Sequence, residues 1–198
     1  MVQDKAYKAY VDKVCHEIEK INQTPFFKVL PRITCIAGDL RTRECYFPSL
    51  IADLIRIHTE TQFTIFQAGH IRSEQQYEEG QILLKLDALK IFALIYSYVI
   101  VNATGKRIKQ FLEEGYQIMP RAAGAFCQLS QNLQVTLDLS KPPLSRIESL
   151  LYNGKPIEDD KLYQFSTLGF AADGYDGFTG FEKGSLIKAS TRTKYDVC

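Results

Sequence analysis

The sequence predicts an α+β fold, a mixed β-sheet with helices packed on it. Short runs rich in β-branched and aromatic residues, such as 63–66, 133–137 and 163–168, read as strands. Runs with apolar residues three and four apart read as helices. The two kinds alternate without the regular spacing of a doubly wound parallel sheet. At 198 residues the chain is long enough for one sizeable core, and it shows no repeat or linker. The partition is an amphipathic helix over 1–22, one domain over 23–187 and a polar tail over 188–198.

Residues 3–22 set Tyr7, Tyr10, Val11, Val14, Ile18 and Ile21 at helical spacing among Lys, Asp and Glu, with Asn22 placed to end the helix. Pro25 and Pro31 bracket a short strand over 26–30, and residues 33–36 read as another. Gly38-Asp39 marks a turn. Pro48-Ser49 opens a second helix that buries Leu50, Ile51, Leu54, Ile55 and Ile57 and runs to about Thr59.

The strand over 63–66 delivers the chain into Gln67-Ala68-Gly69-His70-Ile71-Arg72. There a glycine lets the backbone pass close to a bound group, and Arg72 can meet an anion. A helical turn over 87–92 and a strand over 96–102 follow. Thr104 is an N-cap for a helix over 105–114 with Ile108, Phe111 and Leu112 inside, and Gly115 falls in the left-handed position beyond its end. Residues 126–129 and 133–137 read as strands, and Asn153-Gly154 as a hairpin turn between 146–152 and 155–157. The strand over 163–168 feeds Gly-Phe-Ala-Ala-Asp-Gly-Tyr-Asp-Gly at 169–177. That stretch is expected to be a loop that lifts Phe170, Tyr175 and Asp176 out of the core, an aromatic face beside a carboxylate.

Several function classes fall away. A net charge of +1 with no basic stripe argues against nucleic-acid binding. No run of 18 apolar residues is present to span a membrane. The polar N-terminus has no signal-peptide core. Five scattered cysteines without a C-x-x-C pair suit free thiols in a reducing compartment, which gives an intracellular reading. Neither H-E-x-x-H, G-x-S-x-G, a P-loop nor G-x-G-x-x-G occurs, so no metal ligand or catalytic residue is assigned. Cys15 and His16 adjoin on a helix, about 100° apart, and do not form a dyad. What remains is Arg41, Arg43 and Glu44, then Gly69 and Arg72, then Phe126, then Phe170 and Asp176. Guanidinium groups for a phosphate, aromatic faces for a base and a carboxylate for ribose hydroxyls are the inventory of a nucleotide site.

Six blocks in order carry a family resemblance: Arg41-Thr42-Arg43-Glu44-Cys45 with Leu50-Ile51-Ala52-Asp53; Ala68-Gly69-His70-Ile71-Arg72; Val101-Asn102-Ala103-Thr104-Gly105; Asp138-Leu139-Ser140-Lys141-Pro142-Pro143; Asn153-Gly154-Lys155-Pro156; and Phe170 through Phe178. From Leu40 to about Phe181 the chain resembles the C-terminal domain of the 5′-nucleotidase family, which usually follows a metallophosphoesterase domain. The resemblance implies that Phe170 and Phe126 stack on the base, that Asp176 binds the ribose, and that Arg41 and Arg72, beside Gly69, hold the phosphate. It also implies that the family's divalent metals belong to the other domain, leaving no cofactor here. Departures accompany the match. N-G-G-G-I-R is replaced by Gln67–Arg72, and E-[SC]-N-x-G-N by Glu44 through Ser49. P-F-G-N survives only as Ile91-Phe92-Ala93-Leu94, the asparagine before the stacking Phe is Gly169, and the glycine before the ribose Asp is Tyr175.

With the metal-binding domain outside this sequence and the ligand positions altered, the expected function is a non-catalytic structural or interaction subunit. It would belong to a larger intracellular assembly, cytoskeletal or other, with protein partners meeting the helix over 5–21 and the tail over 188–198. The alternatives are a nucleoside- or nucleotide-binding module, or the C-terminal piece of a metal-dependent 5′-nucleotidase.

Overall fold

The structure, a computed structural model, describes residues 5–94 and 97–193. Its centre is a five-stranded mixed sheet in the order β12 (Leu186–Thr193), β6 (Ser97–Thr104), β11 (Leu162–Leu168), β3 (Phe63–Gln67) and β7 (Cys127–Leu129). All neighbours are antiparallel except β11 and β3, which run parallel with Phe165 opposite Phe63 and Thr167 opposite Ile65. A second, antiparallel sheet joins β8 (Leu133–Leu137), β9 (Ile147–Tyr152) and β10 (Lys155–Pro156), the last two linked by the expected hairpin at Asn153-Gly154, both with positive φ. Two ribbons complete the strands: β1 (Pro25–Lys28) with β5 (Ile82–Leu84), and β2 (Ile33–Thr34) with β4 (Gln76–Tyr77). The architecture is α+β, as its sequence predicts.

Alternation along β3 and β11 decides what each face of the central sheet meets. Phe63 and Phe165 stack at 5.5 Å on one face and reach Phe111 of α5 (Gly105–Tyr116). Thr64 and Ser166 point to the other face, where their hydroxyls lie 2.6 Å apart and Ser166 meets Thr59 at the end of α3 (Tyr46–Thr59). Two helices therefore clamp the sheet from opposite sides. Phe63, Ile65, Val101, Phe111, Leu112 and Phe165 are fully excluded from solvent. Each such side chain contributes roughly 1.5–3 kcal/mol of transfer free energy, an upper figure before conformational entropy is set against it.

Thr104 caps α5 as expected, its hydroxyl accepting from the Arg107 amide at 3.3 Å. The expected stop at Gly115 is corrected, because α5 continues to Tyr116 and Gln117 is still right-handed. A Cβ on Gly115 would stand 2.4 Å from the Cys127 sulfur, so this glycine serves close packing of α5 on β7, not a left-handed cap. Gly38-Asp39, read as a turn, lies inside the one-turn helix α2 (Ala37–Leu40). The tail expected from residue 188 is also corrected: β12 carries the backbone to Thr193 along β6, with Lys188 opposite Ile100 and Ala189 opposite Val99. Residue 96, expected to start β6, and residues 194–198 lie outside the described residues.

α1 (Lys5–Asn22) stands apart from this packing. Tyr7, Tyr10 and Ile18 are 70%, 67% and 51% exposed. α4 (Lys85–Ile91) starts where the Asp87 carboxylate accepts from the Leu84 amide at 2.9 Å, and its Ala88 and Ile91 are buried.

Candidate functional site

β3 ends in a buried 3-10 turn, Ala68–His70, fastened to the segment that precedes β7. The Ala68 amide donates to the Phe126 carbonyl and the Gly69 amide to the Gly124 carbonyl, both at 2.9 Å. A Cβ at Gly69 would lie 2.8 Å from the Gly124 Cα, closer than two carbons can stand, so only glycine lets the two backbones touch. The Ala123 amide in turn donates to the Arg41 carbonyl at 3.4 Å, which brings the end of α2 to the same place. Arg41 Nε is buried and has no hydrogen-bond partner among the described residues. Arg72 follows the turn, exposed, its amide donating to the Ile91 carbonyl at 3.0 Å.

The third side comes from the end of β11. Residues 169–177 are not wholly a loop. Gly169–Ala172 form a short helix, α6, and the irregular part follows it. Phe170 is half-buried, with the His70 ring edge-on at 6.1 Å and the Tyr175 ring stacked parallel at 4.8 Å. Asp176 is exposed, has φ 58° and lies between Gly174 and Gly177, whose φ values are 93° and 87°. Its Oδ2 lies 3.5 Å from where a Gly124 Cβ would be. Left-handed backbone at a residue that is not glycine costs about 1 kcal/mol or more, and such positions cluster at functional sites.

Arg41, Gly69, Phe170 and Asp176 thus gather around the Gly124 segment, and Arg72 leaves from the same turn. Phe126 does not join them as a stacking ring. It is buried and packs edge-on against Tyr116 at 5.2 Å, and the ring that faces Phe170 is Tyr175. The expected Phe126–Phe170 pair is therefore replaced by a Phe170–Tyr175 pair. Alternation explains the change: Phe126 immediately precedes β7 and turns toward α5, into the core. Gly124 was not singled out from sequence, although it stands in the small-residue run Ala122-Ala123-Gly124-Ala125. Gln67 has a structural task, its amide nitrogen donating to Thr167 Oγ1 at 3.2 Å inside the sheet. Chemically the place offers an aromatic face, a carboxylate acceptor and guanidinium groups on a glycine floor. Among the described residues no group of three or more His, Cys, Asp or Glu side chains stands together as metal ligands, and no step through a metal is assigned to them.

The family model for the 5′-nucleotidase C-terminal domain matches residues 26–183. This chain belongs to that family. Its similarity to a 5′-nucleotidase of Diplobatis ommata is 23% identity across the whole chain, covering 36% of that protein. It is 28% identical to the trifunctional nucleotide phosphoesterase protein YfkN of Bacillus subtilis, over 74% of this chain and 10% of that one. The crystal structure of a 5′-nucleotidase precursor from Thermus thermophilus superposes with a TM-score of 0.83 at 22% identity, over 96% of this chain and 38% of that one. That likeness establishes the fold of the 5′-nucleotidase C-terminal domain. The chain spans about a third of the length of the two 5′-nucleotidase relatives. No helix among the described residues is long and apolar enough to cross a membrane.

Proposed function

We propose that this 5′-nucleotidase C-terminal domain is a recognition module that holds the base and ribose of a nucleoside or nucleoside monophosphate and supplies no catalytic group itself. The supporting observation is the convergence of the Phe170–Tyr175 faces, the left-handed Asp176 and the Gly69–Gly124 contact, with Arg41 Nε, which has no hydrogen-bond partner among the described residues, on the flank. In this reading a base stacks on the Phe170–Tyr175 element, Asp176 accepts from ribose hydroxyls, and Arg41 and Arg72 meet a phosphate. Hydrolysis, with its divalent metals, is carried by a domain or chain outside the described residues. Calorimetric titration with adenosine and AMP tests the reading: saturable heat and a thermal upshift are expected, and neither at about 1 mM ligand overturns it.

A second reading, a non-catalytic structural or interaction subunit of an intracellular assembly, is favoured by α1. Tyr7, Val11, Val14 and Ile18 follow one another at steps of four, three and four, a seam that the chain's own core leaves largely exposed. Cysteine usage supports the intracellular placement: Cys15, Cys35, Cys45 and Cys127 are free thiols. A Tyr7→Glu, Val11→Glu, Ile18→Glu triple variant is expected to lose its partners in co-purification while keeping its melting temperature. Unchanged partners would count against a role for α1.

A further inference from the structure

A cleft of about 760 Å³ opens between α5 and the three-stranded sheet of β8, β9 and β10. Ile147, Leu151, Pro156 and Ile157 give it apolar walls, and Gln110 and Glu113 of α5 line its helical side. Glu113 is only 7% exposed. One of its carboxylate oxygens, Oε1, accepts from the Ile147 amide at 2.6 Å. The other, Oε2, is buried and has no hydrogen-bond partner among the described residues. A buried acceptor left unpaired is costly, and most native structures avoid it.

The surrounding charges do not answer Glu113. Glu114 pairs with Arg107 at 3.4 Å, Lys109 with Asp159 at 2.6 Å, and Glu148 with Lys141 at 3.3 Å. The Arg146 guanidinium, next in sequence to Ile147, is occupied by the carbonyls of Tyr116, Gln117, Met119 and Lys141. What the cleft lacks among the described residues is a cationic N–H donor for Glu113, carried on an apolar stem that the walls can cover.

We propose that this cleft binds a small alkylammonium or alkylguanidinium compound, with Glu113 as its counter-charge and the β9–β10 side chains around its stem. A charge-assisted bond to a desolvated carboxylate is among the stronger polar contacts, and Ile147, Leu151, Pro156 and Ile157 favour an unbranched hydrocarbon over a heavily hydrated cation. The site is separate from the nucleoside reading and does not rest on it. The two places do adjoin, because the Thr179 amide and hydroxyl both donate to Glu114 and so fasten the chain after Asp176 to α5.

The test uses the full chain, labelled with nitrogen-15, titrated with n-pentylamine and separately with 1-pentanol, which has the same stem and no charge. Saturable shifts at the amides of Glu113, Ile147 and Leu151 are expected with the amine, and weaker binding with the alcohol. Glu113→Gln keeps an acceptor for the Ile147 amide and should keep the fold while weakening amine binding about tenfold or more. Ser149→Phe, which leaves Glu113 intact and fills the cleft from β9, should abolish binding. Equal affinity for amine and alcohol, unchanged affinity in Glu113→Gln, or no saturation below about 50 mM amine would each overturn the proposal.

Discussion

The rings of Phe170 and Tyr175 lie 4.8 Å apart and 17° from parallel, so the aromatic face beyond the end of β11 is already a stack of two. Tyr175 occupies the position where the resemblance calls for glycine, and it is 57% exposed. In the nucleoside-binding proposal, an incoming base would either extend this stack beyond Tyr175 or displace Tyr175 and take its place on Phe170. In both cases Phe170 is the ring held by the fold, carried on α6 with the His70 ring edge-on to it.

Phe170→Ala should therefore cost about 1–3 kcal/mol of adenosine binding, the usual worth of one base on one aromatic face. Calorimetry on wild type and variant measures it. An affinity that does not move would mean that the base lies elsewhere.

Asp176→Asn isolates the ribose contact. Asparagine tolerates the left-handed backbone at φ 58°, so the turn should survive. Adenosine should bind about tenfold more weakly, while 2′,3′-dideoxyadenosine, which has no hydroxyls for Asp176, should hardly change. Equal losses for both ligands would assign Asp176 a structural role.

Gly69→Ala should destabilise the domain by about 1–3 kcal/mol, because its Cβ has no room beside the Gly124 backbone. Gly38→Ala in α2 is the control: a Cβ there meets nothing within 4 Å, and helix propensity favours alanine by up to about 1 kcal/mol. Urea denaturation of the two variants should move the midpoint in opposite directions.

Alkaline pH should weaken the fold through its buried thiols. Burial pushes the Cys35 thiol up from 9.0 to about 11, and raises Cys45 and Cys127 as well. The folded state holds these protons more tightly than the unfolded state. The stabilisation is complete below the ordinary value of 9.0 and is lost as the pH climbs from there through about 11 for Cys35. Denaturation at pH 8 and pH 10 measures the slope. Under native conditions at pH 8, mass-mapped alkylation should mark the exposed Cys15 before Cys35, Cys45 and Cys127.

Legibility in the sequence followed how local each signal was. The Thr104 cap, the Asn153-Gly154 hairpin and the strands β3, β8 and β11 declare themselves within a few residues. Gly115 misled because a glycine near a helix end has two explanations. Only the third dimension, with Cys127 against it, separates packing from capping. β4 and β5 are two and three residues long, too short for any periodicity, and β12 is strand because β6 offers it an edge. For the candidate site, the motifs single out Arg41, Gly69, Arg72, Phe170 and Asp176, and what the fold adds is their placement about the Gly69–Gly124 contact. Phe126 failed because its direction is set by its place before β7, and Gly124 was invisible because its partner, Gly69, is far away in sequence.

The pairing of β12 with β6 also bears on how the molecule keeps to itself. β6 holds β11 along one side, and its opposite row of amides and carbonyls, from Ser97 to Val101, is covered by a segment near the end of the sequence. Cleavage in the Lys183–Ser185 turn, followed by loss of β12, would uncover that row as the new edge of an otherwise intact sheet, a template for a strand from another molecule. β12 thus takes the edge position that β6 would otherwise hold, and nicking just ahead of it would pass that position to the eight-residue strand β6.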